Sequence, residues 1–478
     1  MKLETLLNGI EVTNVFKDVE VKEVSSDSRT ATKDCVFVCI RGRNFDSHFV
    51  ATELEQMGIQ AFVVEHDIGV KNQIIVKDTR KAYAVMCSNF EGSPARSLKI
   101  IGITGTNGKT TTAFLIKNIL EDAGHKTGLI GTIEYSVGDG QKYEGLTTPT
   151  SEQLSKIFAQ MVENNCEYCV MEVSSQALAQ QRVYGVQFEC AVFTNLTQDH
   201  LDYHGDMESY AQAKKELFRN AKSVIINLDD DYASFMTDGL DCKVLTYSTS
   251  NIKADYTAEN IKLKADSVQY EFVGNALIGR VHLGIPGRFS VYNSMAATSC
   301  ALTLGLSLNE IIASLAKSKG VSGRAQVLDT NTPYTVMIDY AHSPDSLKNI
   351  LITLKEFKIG NIITVFGCGG DRDKTKRPQM GEIAADYSDI AVVTSDNPRT
   401  EEPMSIIDDI LVGMQGKKCK IEVIENRAEA IEHALKIAKE NDIVLLAGKG
   451  HEDYQILGKE KIHFDEKELV EKILSNKE

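Results

Sequence analysis

The sequence predicts an α/β protein of three domains, with a central P-loop-type, mostly parallel sheet and a C-terminal doubly wound α/β domain. Three observations lead there. Apolar runs of strand length alternate with stretches of helical period along most of the 478 residues. A glycine-rich turn ending in Lys-Thr stands between the apolar run Leu98–Thr104 and a helical pattern from Thr110 to Glu121. A second alternating series starts near Val327.

In the first block, residues 1–98, short apolar runs (Val36–Ile40, Ala61–Val64, Ile74–Val76) separated by polar turns suit a small α/β domain, and Gly92-Ser93-Pro94 reads as the linker after it. The second block, 99–326, continues with strand candidates Cys169–Val173, Cys190–Asn195 and Ser223–Asn227. A polar, β-like stretch at about 243–285 reads as an insertion or antiparallel edge. The third block, 327–478, carries strand candidates Thr335–Asp339, Asn361–Gly367, Ile390–Ser395, Ile421–Glu425 and Ile443–Ala447, with helical patterns such as Arg427–Lys439 between them. Such alternation means parallel strands with helices on both faces. No repeats, low-complexity tracts or heptads interrupt it.

Composition narrows the function. With 42% hydrophobic and 25% charged residues the chain is an ordinary globular one. It has 52 basic against 67 acidic side chains, a net charge of −15, so a nucleic-acid partner is not expected. Local Arg and Lys clusters can still hold an anionic small molecule. The opening MKLETLLNGI lacks the marks of a signal peptide, and no run of about 18 apolar residues suggests a membrane span, so a cytoplasmic protein is expected. Ten scattered cysteines read as reduced thiols. Cys166 and Cys169 make half a zinc site with no second half, inside what reads as a buried strand.

The strongest motif is Gly105-Thr106-Asn107-Gly108-Lys109-Thr110. Glycines admit phosphate oxygens close to backbone N–H groups, and the helix that follows offers its positive end. Lys109 is placed to neutralise β/γ-phosphate charge and the Thr110 hydroxyl to ligate Mg²⁺, with Thr111 beside it. The usual G-x-x-x-x-G-K spacing would need glycine at position 103, where Ile103 stands. Glu172 follows an apolar strand and should stand at its C-terminal end, where such sheets bind ligands; the bland alternative is an acid at a helix N-terminus. His200 and His204, four apart, could suggest zinc, but Asp199 and Asp202 flank His200 and hard oxygen ligands suit magnesium better. Ser174 and Ser175 could simply cap a helix. Lys214, in a helical stretch, reads from the residues alone as a solvated lysine.

Together, Thr104–Thr110, Ser26-Asp27-Ser28-Arg29, Thr147-Thr148-Pro149, Glu172–Ser175, Asp199–Asp202, Tyr340–Pro344, Asp396-Asn397-Pro398-Arg399 and Gly448–Glu452 resemble, in this order over nearly the whole chain, the Mur ligase family. Within it they are most similar to the branch that adds the third residue of the muramoyl peptide. The resemblance implies a cytoplasmic, ATP- and magnesium-dependent ligase of peptidoglycan synthesis. It would serve cell-wall biogenesis, cell shape and division, and work as a monomer. Its partners would be ATP, UDP-N-acetylmuramoyl-L-Ala-D-Glu and meso-diaminopimelate. It also implies roles by position. Lys109, His200 and Lys214 act in catalysis, Lys214 as an N6-carboxylysine (a carbamate). Thr110, Glu172, His200 and that carbamate hold metal. Residues 105–111 bind ATP with Asn293, Arg324 and His342. Ser28, Thr147, Thr148, Ser174, Gln180 and Arg182 bind the UDP-muramoyl dipeptide, and Arg372, Asp396, Asn397, Pro398, Arg399, Gly448 and Glu452 bind the amino acid. In Arg41–His48, Ser47 replaces a glycine common in the family, next to His48, a candidate uridine contact. Substrates on three domains imply hinge closure.

Arg399 carries the choice of amino acid. Diaminopimelate has a carboxylate beside its distal amine where lysine has hydrogen, and a planar bidentate cation is the matching group. Three other readings remain open at this point: the same ligase using L-lysine, a folylpolyglutamate synthetase sharing the phosphate loop, and a nucleotide-binding switch without ligase chemistry.

Overall fold

The computed structural model describes residues 1–42, 45–141, 143, 145–264 and 266–475. Arg43 and Asn44, inside the Arg41–His48 motif, lie outside the described residues. The chain divides into two compact units. One comprises Met1–Asp255 with Ala296–Ser307; the other comprises Tyr256–Met295 with the chain from Leu308 onward.

The first unit holds two sheets. Strands β1 (Glu23–Ser25), β2 (Cys35–Val38), β3 (Ala61–Val64) and β4 (Gln73–Ile75) pair in sequence order, all parallel. Helix Thr79–Phe90 begins where the Asp78 carboxylate accepts from the Arg80 and Lys81 amides, a cap for two otherwise orphan donors. It lays Ala82, Tyr83 and Met86 on one core face of this sheet.

After the short 3₁₀ turn Pro94–Ser97 come β5 (Lys99–Thr104), β6 (Thr127–Ile130), β7 (Tyr135–Ser136), β8 (Tyr168–Glu172), β9 (Phe188–Phe193), β10 (Ala221–Asn227) and β11 (Lys243–Ser248). Their order is β11-β10-β9-β5-β8-β6-β7, parallel except for β6–β7. β5 is central and flanked on both sides. This is why Ile100, Ile101 and Ile103 are all buried rather than alternating. Each fully buried Ile side chain stabilises the fold by about 1.5–3 kcal/mol. Phe188 packs so closely over Gly102 that a methyl there would have to push the ring aside.

The second unit opens with an antiparallel meander: β12 (Tyr256–Leu263), β13 (Val268–Gly274) and β14 (Leu277–Leu283). The stretch 243–285 therefore differs from the expectation in its first third. Lys243–Ser248 is a parallel strand beside β10, and antiparallel pairing begins only at Tyr256. Next come β15 (Gln326–Leu328), β16 (Thr335–Asp339), β17 (Ile362–Phe366), β18 (Ile390–Val393), β19 (Lys420–Val423) and β20 (Ile443–Ala447), in the order β15-β16-β20-β17-β18-β19. Only β15 is antiparallel. Separate apolar clusters cover the two faces of this sheet. One is built on Leu347, Leu351, Met380 and Ile407, the other on Ile431, Leu435 and Val470, and this is the doubly wound arrangement. A final hairpin, β21 (Tyr454–Leu457) with β22 (Glu460–His463), precedes helix Glu466–Ser475.

Among the described residues no helix is long and apolar enough to cross a membrane. The ten cysteines are free, and Cys166 and Cys169 are both buried.

Candidate functional site

In the first unit the candidate side chains gather at the C-terminal ends of β5, β6, β8 and β9. The loop after β5 starts on Gly105 at φ 152°, and a side chain there would collide with the Thr194 hydroxyl. Ile103, where the common phosphate-loop spacing has glycine, is buried inside β5, so the turn starts two residues later. Helix Lys109–Asp122 then begins on Gly108 with no side chain capping it. Its neighbours Ser175–Ala179 and Ser151–Glu163 are capped by Ser174 and Thr150. An uncapped N-terminus under a glycine turn is the arrangement that takes an anion.

The loop is strapped to the segment after β9. The Thr106 amide donates to the Asn195 carbonyl at 2.8 Å and the Asn107 amide to Asn195 Oδ1 at 2.9 Å. Thr194 Oγ1 donates to the Asn107 carbonyl at 2.6 Å. Asn195 and Thr194 were not singled out from the sequence, because their role is contact across 88 and 87 residues of chain.

Lys109 folds back so that its Nζ donates to the carbonyls of Gly105 (2.9 Å) and Thr106 (2.8 Å). Lys214 is not the solvated lysine its helical context suggested. It is buried, and its Nζ donates to the same Gly105 carbonyl at 2.7 Å. Burial drives its ammonium well below the usual lysine range, and the positive charge of Lys109 adds to the effect.

Thr110 Oγ1 donates to Glu172 Oε2 at 3.0 Å. The same carboxylate accepts from Thr132 Oγ1 (3.2 Å), and its Oε1 from the Thr132 amide (2.9 Å). Glu172 closes β8 and is buried; it is not a first-turn acid of a helix. Thr132 belongs to this cluster and was missed. The only signal was its place just after the apolar run Thr127–Ile130.

A hydroxyl and a carboxylate in contact beneath a phosphate loop are hard oxygen donors of the kind magnesium takes together with phosphate oxygens. Among the described residues no group of three or more His, Cys, Asp or Glu forms a metal cluster. His200 precedes the short helix Leu201–His204 at φ 53° without a capping side-chain bond, 3.5 Å from Asp199, while His204 Nε2 lies 2.9 Å from Ser175 Oγ.

Beside this site, Arg182 donates to Gln180 Oε1 through Nε (3.1 Å) and Nη2 (2.8 Å), and to the Thr148 carbonyl (2.7 Å). Thr148 Oγ1 donates to the Glu172 carbonyl at 2.9 Å, and Thr147 Oγ1 lies 3.0 Å from Thr132 Oγ1. Ser174 does cap a helix, accepting from the Ala177 amide. Gln180 and Arg182 line a cleft of about 440 Å³ with Ser26, Asp27, Arg80 and Tyr83 of the N-terminal sheet region. Ser28 follows Asp27 in the same turn, half-buried. Arg80 was not foreseen. Ser47 is buried and bonded to both polar groups of Ile40. His48 Nδ1 sits 2.6 Å from Asp46 while its Nε2 accepts from the Glu65 amide.

In the second unit, loops at the carboxyl ends of β17, β18 and β20 carry the amino-acid-site candidates. Asn397 is the buried hub. Its Nδ2 donates to Glu452 Oε2 (3.0 Å), and its Oδ1 accepts from Lys449 Nζ (3.2 Å) and the Ile456 amide (2.9 Å). Lys449, fully buried, stands 3.2 Å from Asp396 and 3.9 Å from Glu452. Burial alone would raise the Asp396 carboxyl, but Lys449 and Arg427 hold it below its ordinary value. Glu452 is pushed up, by burial first and by Asp396 second.

Arg399, at φ 53°, is gripped through its backbone by β21: its amide donates to Ile456 and its carbonyl accepts from Gly458. Its Nη1 donates to the carbonyls of Gly370 (2.8 Å) and Asn397 (3.5 Å). Glu401, the acid that could have neutralised it, is taken by Arg377 and Lys374. Arg372 is exposed on the loop after β17, and Gly448 follows β20 at φ 119°. Asn293 is buried in helix Arg288–Thr303. The Arg324 guanidinium lies 5.0 Å over the Tyr340 ring, and His342 Nδ1 is 2.8 Å from the Tyr340 carbonyl.

Comparison with known proteins finds relatives along the whole chain. Residues 103–301 match the Mur ligase middle domain and residues 323–450 the Mur ligase glutamate ligase domain. The chain is 46% identical to the UDP-N-acetylmuramoyl-L-alanyl-D-glutamate–2,6-diaminopimelate ligase of Clostridium perfringens (strain 13 / Type A), over 100% of both chains. It is 42% identical to the Bacillus cereus protein of the same name, over 100% of this chain and 99% of that one. A solved structure of a UDP-N-acetylmuramoyl-L-alanyl-D-glutamate–2,6-diaminopimelate ligase superposes with a TM-score of 0.72 at 32% identity, covering 96% of this chain and 95% of the other. Mycobacterium tuberculosis folylpolyglutamate synthase shares the fold at 18% identity and a TM-score of 0.62, over 77% of this chain and 92% of that one. With a glycine turn at an uncapped helix N-terminus, a Thr110–Glu172 contact and full-length relatives above 40% identity, the chain belongs to the Mur ligase family.

Proposed function

We propose that this protein is an ATP-dependent ligase that joins meso-diaminopimelate to the D-glutamate of UDP-N-acetylmuramoyl-L-Ala-D-Glu, in the cytoplasm, as a step of peptidoglycan precursor synthesis. The observation that carries the choice of amino acid is Arg399: among the described residues its guanidinium donates to backbone carbonyls and to no carboxylate, while Glu401 beside it is neutralised by others. A cation so placed suits the distal carboxylate of diaminopimelate and has no counterpart on lysine.

The reaction runs in two steps. A D-glutamate carboxylate oxygen attacks the ATP γ-phosphorus, the bond to the bridging oxygen breaks, and ADP leaves with that electron pair. The neutral amine of the amino acid then attacks the acyl carbon of the resulting acyl phosphate; phosphate departs with the C–O pair and the amine gives up its proton. Both steps crowd anions together, so charge stabilisation is the main task. Residues 105–111 cradle the phosphates, with Lys109 turning from its loop carbonyls onto them, and Asn293, Arg324 and His342 contribute to the nucleotide. Thr110 and Glu172 would hold magnesium, joined by His200 and a carbamate on Lys214. When bound, the ion neutralises phosphate charge. Ser28, Thr147, Thr148, Ser174, Gln180 and Arg182 hold the UDP-muramoyl dipeptide. Arg372 takes the other carboxylate of diaminopimelate, and Glu452, with Gly448, takes the distal amino group. A division at residues 98 and 326 assigns these three tasks to three domains.

The Lys214 carbamate has its own support. Two amines on one carbonyl cannot comfortably both be ammonium, and a depressed lysine is a neutral nucleophile. Its nitrogen adding to CO₂, with loss of a proton, replaces a neutral amine beside Lys109 by an anion. Lys214→Ala is expected to be nearly inactive and partly rescued by small carboxylates such as acetate. Full activity of that variant without rescue would remove the carbamate from the reading.

The overall function is tested by the mass of the product formed from UDP-muramoyl dipeptide, ATP and either amino acid. A diaminopimelate adduct is expected. Equal incorporation of L-lysine would overturn the amino-acid assignment, and ATP hydrolysis indifferent to both substrates would overturn the ligase.

A further inference from the structure

We propose that the ion pair between buried Arg377 and half-buried Glu401 is a positioning device for amino-acid selection: it locks the loop after β17 to the loop after β18 and so sets the separation of Arg372 and Arg399. The proposal rests on the reading above, in which those two arginines receive the amino acid's carboxylates. Neither Arg377 nor Glu401 contacts the substrate in that reading.

Arg377 lies near the start of helix Lys376–Tyr387 and is fully buried. Its guanidinium grips Glu401 in a bidentate fork, Nη2 to Oε1 at 2.7 Å and Nη1 to Oε2 at 3.0 Å. Glu401 Oε1 in turn accepts from the Asp371 amide at 2.6 Å. Asp371 returns the tie: its Oδ1 accepts from Thr400 Oγ1 (2.7 Å) and its Oδ2 from the Thr400 amide (3.2 Å). The two loops are thus cross-linked at residues 371 and 400–401, each next to one of the two arginines. They also touch at Gly370, where any side chain would collide with the Pro398 carbonyl.

Asp371 and Arg399 both sit in the left-handed backbone region, at φ 54° and 53°. Non-glycine residues stay there only when surrounding contacts hold them. Arg377 and the Asp371 amide keep the Glu401 carboxyl down at about 2, so the clamp stays charged at any ordinary assay pH.

An ion pair with a buried member adds little to stability over an apolar pair of the same volume, so its value here is geometric. Asp409 separates the two roles. It accepts from the same guanidinium at 2.9 Å but lies on helix Pro403–Val412, outside both loops.

The test is steady-state kinetics on the full-length enzyme with each substrate varied in turn, alongside thermal melting. Arg377→Lys and Glu401→Gln are expected to raise KM for meso-diaminopimelate about tenfold or more and to shrink the preference over L-lysine, as displaced positioning groups do. KM for ATP and for the UDP-muramoyl dipeptide should stay within about twofold. Thr400→Val, at an exposed position that cannot unfold the domain, should move the same KM in the same direction by a smaller factor. Asp409→Asn should leave it unchanged.

If the Arg377, Glu401 and Thr400 variants all leave the diaminopimelate KM unchanged while Arg399→Ala raises it, the clamp is overturned and the reading of Arg399 stands. If Arg399→Ala also leaves it unchanged, the amino-acid site itself is misassigned and the clamp falls with it. Equal KM increases for all three substrates would show general destabilisation and would equally overturn it.

Discussion

Replacing Lys109 by alanine is expected to lower ligase turnover by about 10³-fold or more, the loss typical of a key charge stabiliser in a water-poor site. The side chain is already aimed at the phosphate loop, its Nζ resting on the Gly105 and Thr106 carbonyls at the uncapped start of helix Lys109–Asp122. Those two neutral acceptors are a weaker counterpart than a phosphate, so an incoming nucleotide can draw the ammonium away without leaving a buried anion behind. The variant also removes the Lys109 charge that adds to burial in depressing the Lys214 ammonium. The measurement is kcat for product formation in protein whose melting temperature matches the parent. Near-normal turnover in such protein would end the phosphate role of Lys109.

Arg399→Ala is expected to abolish use of diaminopimelate while ATP binding without amino acid persists. A site built around a charged partner rejects an analogue lacking it by roughly 10⁴-fold, because its own charge is left unpaired. Removing the cation should strand the substrate's distal carboxylate in the same way. Around Arg399 the buried network of Asn397, Lys449, Asp396 and Glu452 is internally paired, so the substitution should not unravel it. The readout is kcat/KM for diaminopimelate and for L-lysine, with nucleotide affinity measured separately. Unchanged kcat/KM for diaminopimelate would move the selection to another residue.

Strand positions were the most legible part of the chain. Ala61–Val64, Thr335–Asp339 and Ile443–Ala447 are where the apolar runs put them, because a strand buried on both faces must be apolar throughout. Strands without that signature were harder to see. Glu23–Ser25 and Gln326–Leu328 are edge strands of three residues, and Glu460–His463 is exposed along its length. The glycine turn between β5 and helix Lys109–Asp122 was legible for a different reason: all its parts are contiguous.

What the amino-acid sequence determined by itself, then, was the α/β class, the glycine turn after β5 and the order of short motifs that marks the family. These depend on local periodicity or on residues adjacent in the chain. Tertiary structure decided the rest. Lys214 looked solvated because a helix of mixed polarity hides which face is covered, and only folding brings its amine to Gly105, 109 residues away. Thr132 and Asn195 act through partners 40 and 88 residues distant. The fork between Arg377 and Glu401 closes a span of 24 residues around β18. Such contacts leave no periodic trace, because the chain specifies them through the packing of the strands between them rather than through the spacing of the residues that touch.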